Sequence, residues 1–358
     1  MLPVGVLFSI AIEANQLFYS GHFTVFLNTI IVATSTASVA VFLGVPIALA
    51  TTYLTFPFRK FWLVVLIVPL AIPSYIGAFA LYAAFGTGGE LDNVLPFTPP
   101  AISGLAGSVL VMALYTYPFV VLTTRASLSK IDPSQLYASR TLGLGLYESL
   151  WRVVIPRISN GIAGGALLAA LYAISDFGTP AIMGVNTYTR AIYVEYNALG
   201  LGQAASLSLQ LILIVGVLLA FESQAKTTRS TPGRLIAIKP STIQKFFLFL
   251  FVSPVILLSI FLPISVFTLW LFREGISNFE FINIINSIFV SLIAAIVAIM
   301  LALPMAIAAL KGRIGKLMER VTYIGFGIPG IVMGTALVYV GLQLPIICLL
   351  YTSPSPRD

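Results

Sequence analysis

Six long stretches of this chain contain no charged residue and no histidine, and this feature limits the possible folds more than any other. The stretches are residues 25–58, 61–89, 93–124, 196–221, 246–272 and 281–310. A helix of roughly 20 apolar residues crosses the ~30 Å hydrocarbon core of a bilayer. A central Arg or Lys in such a helix would cost about 2.5–3.5 kcal/mol. The sequence therefore predicts an all-α, polytopic membrane protein.

The overall composition agrees with this prediction. Hydrophobic residues make up 59% of the chain, charged residues 9%, and the mean hydropathy is +1.02. The apolar stretches do not alternate with polar residues, as the strands of a membrane barrel would. The predicted spans are residues 25–53, 61–85, 101–124, 161–184, 204–221, 246–271, 284–310 and 321–343. A further apolar segment, residues 2–12, is too short to cross the bilayer.

The basic residues predict the orientation of these spans. Sixteen of the 19 Lys and Arg residues lie in four clusters between alternate spans. Basic loops stay on the cytoplasmic side of a membrane, so the net charge of +7 reflects topology rather than a nucleic-acid partner. The loops predicted to be cytoplasmic, besides the short one at residues 59–60, are residues 125–157, 222–245 and 311–320.

An internal repeat divides the chain into two parallel units. Residues 28–30 (NTI) correspond to residues 286–288 (NSI), and the segment AIPSYIGAFAL (71–81) corresponds to GIPGIVMGTAL (327–337). Repetition at a fixed period indicates two homologous units, each with an even number of spans. The domain prediction is a first unit at 1–222 with an incomplete first helix, a cytoplasmic linker at 223–245, and the start of a second unit at 246–347.

The same repeat predicts a chain truncated at both ends. The first copy would need apolar sequence upstream of Leu2, and the second copy would need a second polar loop beyond the last residue, Asp358. Residues 348–358 turn abruptly polar and break the repeat, so we expect a non-native tail there. The alternative is a genuine short tail.

The polar loop, residues 125–157, is predicted to form two short helices joined by glycine. Asp132 is a suitable N-cap, because its carboxylate can accept from the first free backbone N–H groups. Gly143 is a natural C-terminal stop. Glu148 and Arg152 are spaced to pair on the second helix. Pro156 is expected to mark the entry to the next span.

The spacing in this loop resembles that of the permease subunits of bacterial ABC importers. Their pattern is E-A-A-x3-G-x9-I-x-L-P. Here Ala138-Ser139 is followed at the same spacing by Gly143, Val153 and Ile155-Pro156, with Tyr137 in place of Glu. The resemblance extends to about residue 345, and within the family the fused double unit is similar to ferric-iron permeases. Thiamine and aminophosphonate permeases are relatives.

This resemblance implies a helix bundle whose polar loop docks on a separate cytoplasmic ATP-binding subunit, present as a dimer. A periplasmic or lipoprotein solute-binding protein would deliver the solute. The other partner is the lipid bilayer of the bacterial inner membrane, and no nucleic acid is implied. ATP would bind to the partner subunit, and this chain would carry no cofactor. The residues expected to couple to the ATPase are Ser134, Tyr137, Ala138, Ser139, Arg140, Gly143, Gly145 and Pro156.

Two further features lie in the predicted span 161–184. Asp176 is an acid well inside an apolar segment, which by default is a functional candidate. With Gly178 and Pro180 it could line the translocation route, or it could cap backbone groups at a helix break. Small residues recur every four positions before it, and such a stripe lets two helices approach closely. They are Gly161, Gly165, Ala169 and Ala173.

Other functions are less well supported by the sequence. The only cysteine is Cys348 and the only histidine is His22, so no cysteine metal site and no nucleophile–histidine–acid set is expected. No metal site and no enzymatic activity are predicted. The alternatives that stay open are thiamine, aminophosphonate or polyamine as solute, an ion-driven secondary transporter, and a membrane enzyme. An ion-driven transporter usually needs several intramembrane ionisable groups, whereas this chain offers Asp176.

Overall fold

A computed structural model describes most of the chain up to residue 309. The described residues are 7–8, 11, 21–93, 96–97, 99–198, 200–222, 239–275, 280–309, 315, 330 and 332–334. Within these ranges the regular elements are helices, which confirms the all-α prediction. Most of the segment 2–12, the predicted span 321–343 and the tail lie outside the described residues.

Thirteen α-helices are described, and several are joined by short 3-10 or π turns. They are α1 (His22–Tyr53), α2 (Arg59–Ile67), α3 (Ser74–Phe85), α4 (Gly104–Leu128), α5 (Pro133–Thr141), α6 (Leu146–Ser149), α7 (Ile155–Ser175), α8 (Gly178–Met183), α9 (Tyr188–Asn197), α10 (Leu201–Glu222), α11 (Thr242–Ile256), α12 (Leu262–Glu274) and α13 (Phe281–Ala309).

Six stretches within the described residues are long and apolar enough to cross a membrane. They are His22–Tyr53, Gly104–Leu128, Tyr147–Ser175, Leu201–Ala220, Thr242–Glu274 and Phe281–Ala308. Each of them contains or overlaps a predicted span. The multi-pass character of the chain is thus confirmed.

The predicted span at 61–85 is not one straight helix. The segment consists of α2 with the 3-10 turn Val68–Ala71, then α3, and the two parts meet at an angle of 90°. Pro73 lacks an N–H and disfavours helical geometry in the residue before it, so the helix stops there. The freed carbonyl of Leu66 accepts a hydrogen bond of 2.7 Å from the hydroxyl of Tyr117 on α4. A neighbouring helix thus stabilises the bend.

The core of the bundle lies among α1, α4 and α7, with α4 at its centre. In α1, a Cβ on Gly44 would lie 2.7 Å from the Cβ of Val120 on α4. In α7, a Cβ on Gly165 would lie 2.6 Å from the Cα of the same Val120. Real Cβ contacts are never this short, so glycine allows both helices to pack against α4. The predicted small-residue stripe therefore faces the core.

Pro156 lies at the start of α7 as predicted, but no break in the helix separates it from the polar loop. The second helix of the polar loop does not end before the next span, because α6, the π turn Leu150–Val154 and α7 form one continuous helix. Pro156 lies in the first turn of α7, where its missing N–H is tolerated because the π turn has already changed the hydrogen-bond register. The loop is therefore joined rigidly to the span.

Two other boundaries differ from the sequence-based ones. The amphipathic helix α9 lies between the predicted spans 161–184 and 204–221, where no helix is predicted, and its Tyr188 N–H donates to Thr29 on α1. Helix α11 begins at Thr242, three residues before the predicted end of the linker. Ser241 and Gln244 form a capping box there, with each side chain bonded to the other residue's backbone N–H. Residues 223–238 of the linker lie outside the described part of the chain.

The continuous segment α11–α12 belongs to the predicted second unit but packs on helices of the first. The hydroxyl of Tyr115 donates to the carbonyl of Ser259 at 3.1 Å, within the π turn Leu257–Phe261. On the predicted outer side, Glu90 accepts from Trp270 and Arg273 at 2.8 Å each. Helix α13 is exposed along its length, and like its repeat partner α1 it carries one internal proline.

Candidate functional site

The first helix of the polar loop is well defined at both ends. The carboxylate of Asp132 accepts from the N–H of Ser134 at 2.9 Å, as the N-cap prediction required. This backbone hydrogen bond lowers the pKa of the Asp132 carboxyl, because it stabilises the charged form. At the other end, Gly143 has φ +89°, a conformation that favours glycine. Helix α5 is therefore a short helix held in position by its own sequence.

The polar loop shows large apolar side chains to its surroundings. Leu142 is 83% exposed and Tyr147 75% exposed. Tyr137 and Trp151 are more than half exposed on either side of them. Four large apolar side chains are thus exposed in one otherwise polar loop, and such exposure is a candidate feature of an interaction site. We call these four residues the apolar crown.

The residues predicted to couple to the ATPase occupy different positions within this loop. Ser139 is buried, and its hydroxyl donates to the carbonyl of Leu136 within α5. The others are exposed, as a contact surface requires, and they are Ser134, Tyr137, Ala138, Arg140, Gly143, Gly145 and Pro156. The structure brings these residues together on one loop. Whether an ATPase binds there stays a prediction.

Two side-chain contacts fix the loop to the start of its span. Glu148 pairs with Arg152 at 2.9 Å, as the i, i+4 spacing predicted. The guanidinium of Arg157 donates to the side-chain carbonyl of Gln135, which connects α7 to α5. An exposed pair on a helix contributes only a few tenths of a kcal/mol. The contact between Arg157 and Gln135 orients α5 relative to the helix that follows, whereas the pair of Glu148 and Arg152 lies within one helix.

At the other end of α7, Asp176 lies at a break in the helix. Helix α7 ends at Ser175 and α8 begins at Gly178. One carboxylate oxygen of Asp176 accepts from the N–H of Gly178 at 3.0 Å. The carboxylate therefore satisfies a backbone donor that the break leaves free.

The second carboxylate oxygen of Asp176 connects this break to the bend between α2 and α3. It accepts from the hydroxyl of Ser74, the first residue of α3, at 2.7 Å. Ser74 in turn accepts from the hydroxyl of Tyr172 at 3.2 Å. The backbone carbonyl of Asp176 accepts from Thr189 at 2.8 Å. One acidic residue therefore joins two helix breaks and the segment that follows them.

The small residues around this break allow its close packing. A Cβ on Gly178 would lie 2.5 Å from the Cβ of Tyr75 on α3. Pro180 is buried in the first turns of α8. Gly178 and Pro180 therefore shape the break, while the carboxylate of Asp176 supplies its polar contacts. Whether solute passes along this surface stays a prediction.

Sequence reasoning missed the partners of Asp176. Ser74, Tyr172 and Thr189 are 102, 4 and 13 positions away from it. Tyr172 is four positions before Asp176, a spacing that a helical pattern can indicate. No periodic pattern in the sequence connects Asp176 with Ser74 or Thr189. Among the residues that the structure describes, no group of three or more His, Cys, Asp or Glu side chains is placed to hold a metal ion.

The fold and this site define a class of protein. Membrane-length helices, two breaks joined by polar contacts inside the bundle, and a polar loop with an apolar crown are features of a membrane transport component rather than of a receptor domain or a simple anchor. Residues 40–226 match the family described as "Binding-protein-dependent transport system inner membrane component", and the chain belongs to that family. It is therefore a multi-pass protein of the inner membrane.

Individual relatives are similar over different shares of the chain. The "Fe(3+)-transport system permease protein FbpB 2" of Haemophilus influenzae is 26% identical over 88% of this chain. The chain spans 63% of that relative's length. A "Probable molybdenum ABC transporter permease protein" of Haloferax volcanii is 30% identical over 61% of this chain and 82% of its own.

The spermidine/putrescine permease protein PotB of Escherichia coli is 27% identical over 54% of this chain and 74% of its own. These relatives carry the names of different solutes. The family is therefore assigned, and the solute is not.

Proposed function

We propose that this chain forms the translocation path of an ATP-driven importer and that its polar loop docks on a separate ATP-binding subunit. The observation that carries this proposal is the apolar crown. Its side chains are exposed on the side predicted to be cytoplasmic, on a loop whose backbone is held by a cap, a glycine stop and two side-chain contacts. Large apolar side chains exposed on a loop that is predicted to be cytoplasmic fit docking better than solvation.

The continuous helix from the polar loop supports a mechanical role. Residues 147–175 form one membrane-length helix, and at 1.5 Å per residue it reaches roughly 43 Å from the loop to the break at Asp176. A force applied to the apolar crown would move this helix as a rod. Because Asp176 bonds Ser74, the movement would reach the bend between α2 and α3. Alternating access would follow if these two breaks separate and rejoin.

For the solute we propose ferric iron, handed over by a solute-binding protein on the outer side. The support is the extent of the similarity, because the ferric-iron permease matches 88% of this chain while the molybdenum and polyamine permeases match 61% and 54%. Ferric iron is the cargo in this proposal and not a resident metal. Molybdate and spermidine are the competing solutes.

The docking proposal is tested by Leu142→Asp, because Leu142 is mostly exposed and its loss should not unfold the chain. We expect ATP hydrolysis by the co-purified ATP-binding subunit to lose its stimulation by loaded binding protein, while the thermal unfolding midpoint stays unchanged. The matched control is Phe58→Asn. Phe58 is 80% exposed at the turn before α2, outside the polar loop, and its φ of +56° suits Asn. Equal stimulation in both variants would contradict the docking proposal.

The solute and the energy source are tested together in vesicles. We expect uptake of radiolabelled ferric iron that requires ATP and is abolished when the ATP-binding subunit is omitted. Uptake of molybdate or spermidine instead of iron would overturn the proposed solute, but it would leave the proposal of ATP-driven import unchanged. Uptake that persists without the ATP-binding subunit, driven by an ion gradient, would support a secondary transporter and overturn the mechanism.

A further inference from the structure

An apolar groove lies between the first unit and the start of α11. Its volume is about 590 Å³, within the range of small-molecule sites in general. Its walls come from the last turns of α1, from α2 and the turn before it, and from one face of α11 with the π turn that follows it. Among its lining residues are Ile47, Trp62, Leu66, Leu248, Val252 and Phe261. These walls offer little to bind a polar solute, so the groove is suited to a hydrocarbon chain.

Basic side chains lie at one end of this groove. Lys245 lines it directly. Arg59 lies at the same end, because its guanidinium donates to the carbonyls of Thr51 and Thr52 at 2.7 Å each and Thr51 also lines the groove. Two further bases lie in the same segments: Lys60 is next to Arg59, and Lys239 precedes Lys245. Neither residues 51–60 nor residues 239–245 contain an acid.

The position of the groove relative to the membrane follows from the same residues. Its basic end belongs to two of the clusters that predict the cytoplasmic side, and its apolar walls belong to membrane-length helices. The groove therefore extends from the cytoplasmic interface into the inner leaflet. Basic pockets between membrane helices on this side bind anionic lipid headgroups.

We propose that this groove binds an anionic phospholipid of the cytoplasmic leaflet. One acyl chain lies along the apolar walls, and the headgroup phosphate is held by Lys245. The bound lipid would contact α1 and α2 on one side and α11 on the other, so it would join the first unit to the segment that begins the second. This proposal rests on the groove and on membrane insertion, and it does not depend on the solute or on the ATPase.

A tryptophan in the groove allows lipid binding to be measured by fluorescence. Trp62 lines the groove, whereas Trp151 lies in the polar loop and Trp270 packs near Glu90. In a Trp151→Phe, Trp270→Phe background, fluorescence then comes from Trp62 alone. The experiment reconstitutes this protein in vesicles of unlabelled lipid with increasing fractions of brominated phosphatidylglycerol or brominated phosphatidylcholine. Quenching of Trp62 gives the relative affinity of the groove for the anionic and the zwitterionic lipid.

We expect the anionic lipid to be preferred, and the preference to fall about fivefold in Lys245→Gln, since a base near the membrane surface contributes about 1 kcal/mol. Lys130→Gln is the matched control, because it removes the same charge from another loop predicted to be cytoplasmic. It should leave the preference unchanged. Ser253→Phe, which narrows the groove, should weaken quenching by both lipids.

Three results would overturn the proposal. Equal quenching by the two lipids would show a groove without headgroup selectivity. An equal loss in Lys245→Gln and Lys130→Gln would show diffuse attraction to a charged surface. Absence of quenching at any lipid fraction would show that the groove is closed to lipid and filled by protein. Each result leaves the test of ATP-driven uptake unaffected, so failure of this proposal is distinguishable from failure of the proposed function.

Discussion

The packing of α7 against α4 leads to a quantitative prediction for two adjacent glycines. A Cβ on Gly165 would lie 2.4 Å from the hydroxyl oxygen of Thr123 and 2.6 Å from the Cα of Val120. The first contact can relax by rotation of a side chain, but the second is with backbone and needs the helices to separate. A Cβ on Gly164 would meet nothing within 4 Å.

Gly165→Ala and Gly164→Ala therefore differ only in packing. Both gain the same helix propensity, about 1 kcal/mol for Ala over Gly, and this gain cancels in the comparison. Forcing extra atoms into a well-packed core costs about 1–3 kcal/mol. We expect Gly165→Ala to be less stable than Gly164→Ala by about 1–3 kcal/mol, and Gly165→Val to be less stable still.

The measurement is the unfolding of each purified variant in the same detergent, followed by denaturant and by heat. ATP-driven uptake by the same variants shows whether the separation of α4 and α7 also disturbs transport. If Gly165→Ala proves as stable as Gly164→Ala, the close contact between the two helices is not part of the folded protein. The small-residue stripe would then face lipid. The proposal that the helix 147–175 transmits movement from the polar loop to Asp176 would lose the packing against α4 on which it depends.

Three further predictions concern single hydrogen bonds. Tyr117→Phe should lower stability by about 1–3 kcal/mol, because it leaves the buried Leu66 carbonyl unpaired, whereas Tyr137→Phe on the surface should not. Asp176→Ala and Ser74→Ala each remove the bond between the two helix breaks, so their effects on the unfolding midpoint should not add in the double variant. Asp132→Ala should speed amide exchange at Ser134. Folding lowers the pKa of Asp132, so its cap is fully present at pH values well above the ordinary pKa of 3.8 and is lost as the pH falls below that value. Exchange rates of the Ser134 amide, measured across this pH range, would show the loss.

Much of the fold could be predicted from local sequence. The spans follow from length and apolarity, and each predicted span within the described residues overlaps a membrane-length helix or the bent pair. The cap at Asp132, the stop at Gly143 and the pair of Glu148 with Arg152 also follow from short-range patterns. These features depend on residues within a few positions of one another, which is the distance that a periodic pattern reports.

The interruptions of the helices were harder to predict. Proline and glycine indicated a break near Asp176, but they did not show that the span 61–85 bends by 90° or that Pro156 lies inside a continuous helix. The capping box of Ser241 and Gln244 was visible in the sequence and would have placed the start of α11 correctly. The π turn before Pro156 had no comparable signal.

By itself, the sequence determined that this chain is a multi-pass helical membrane protein, and its polar loop carried the resemblance to its family. Hydrophobic stretches and helix caps depend on residues that are close in the sequence, so they can be recognised from the sequence alone. Tertiary structure alone decided that Tyr117 satisfies Leu66, that Asp176 joins two breaks, and that α11 and α12 pack on the first unit. A backbone group freed inside a membrane must find a partner within the protein, and which distant side chain supplies it depends on how the helices pack.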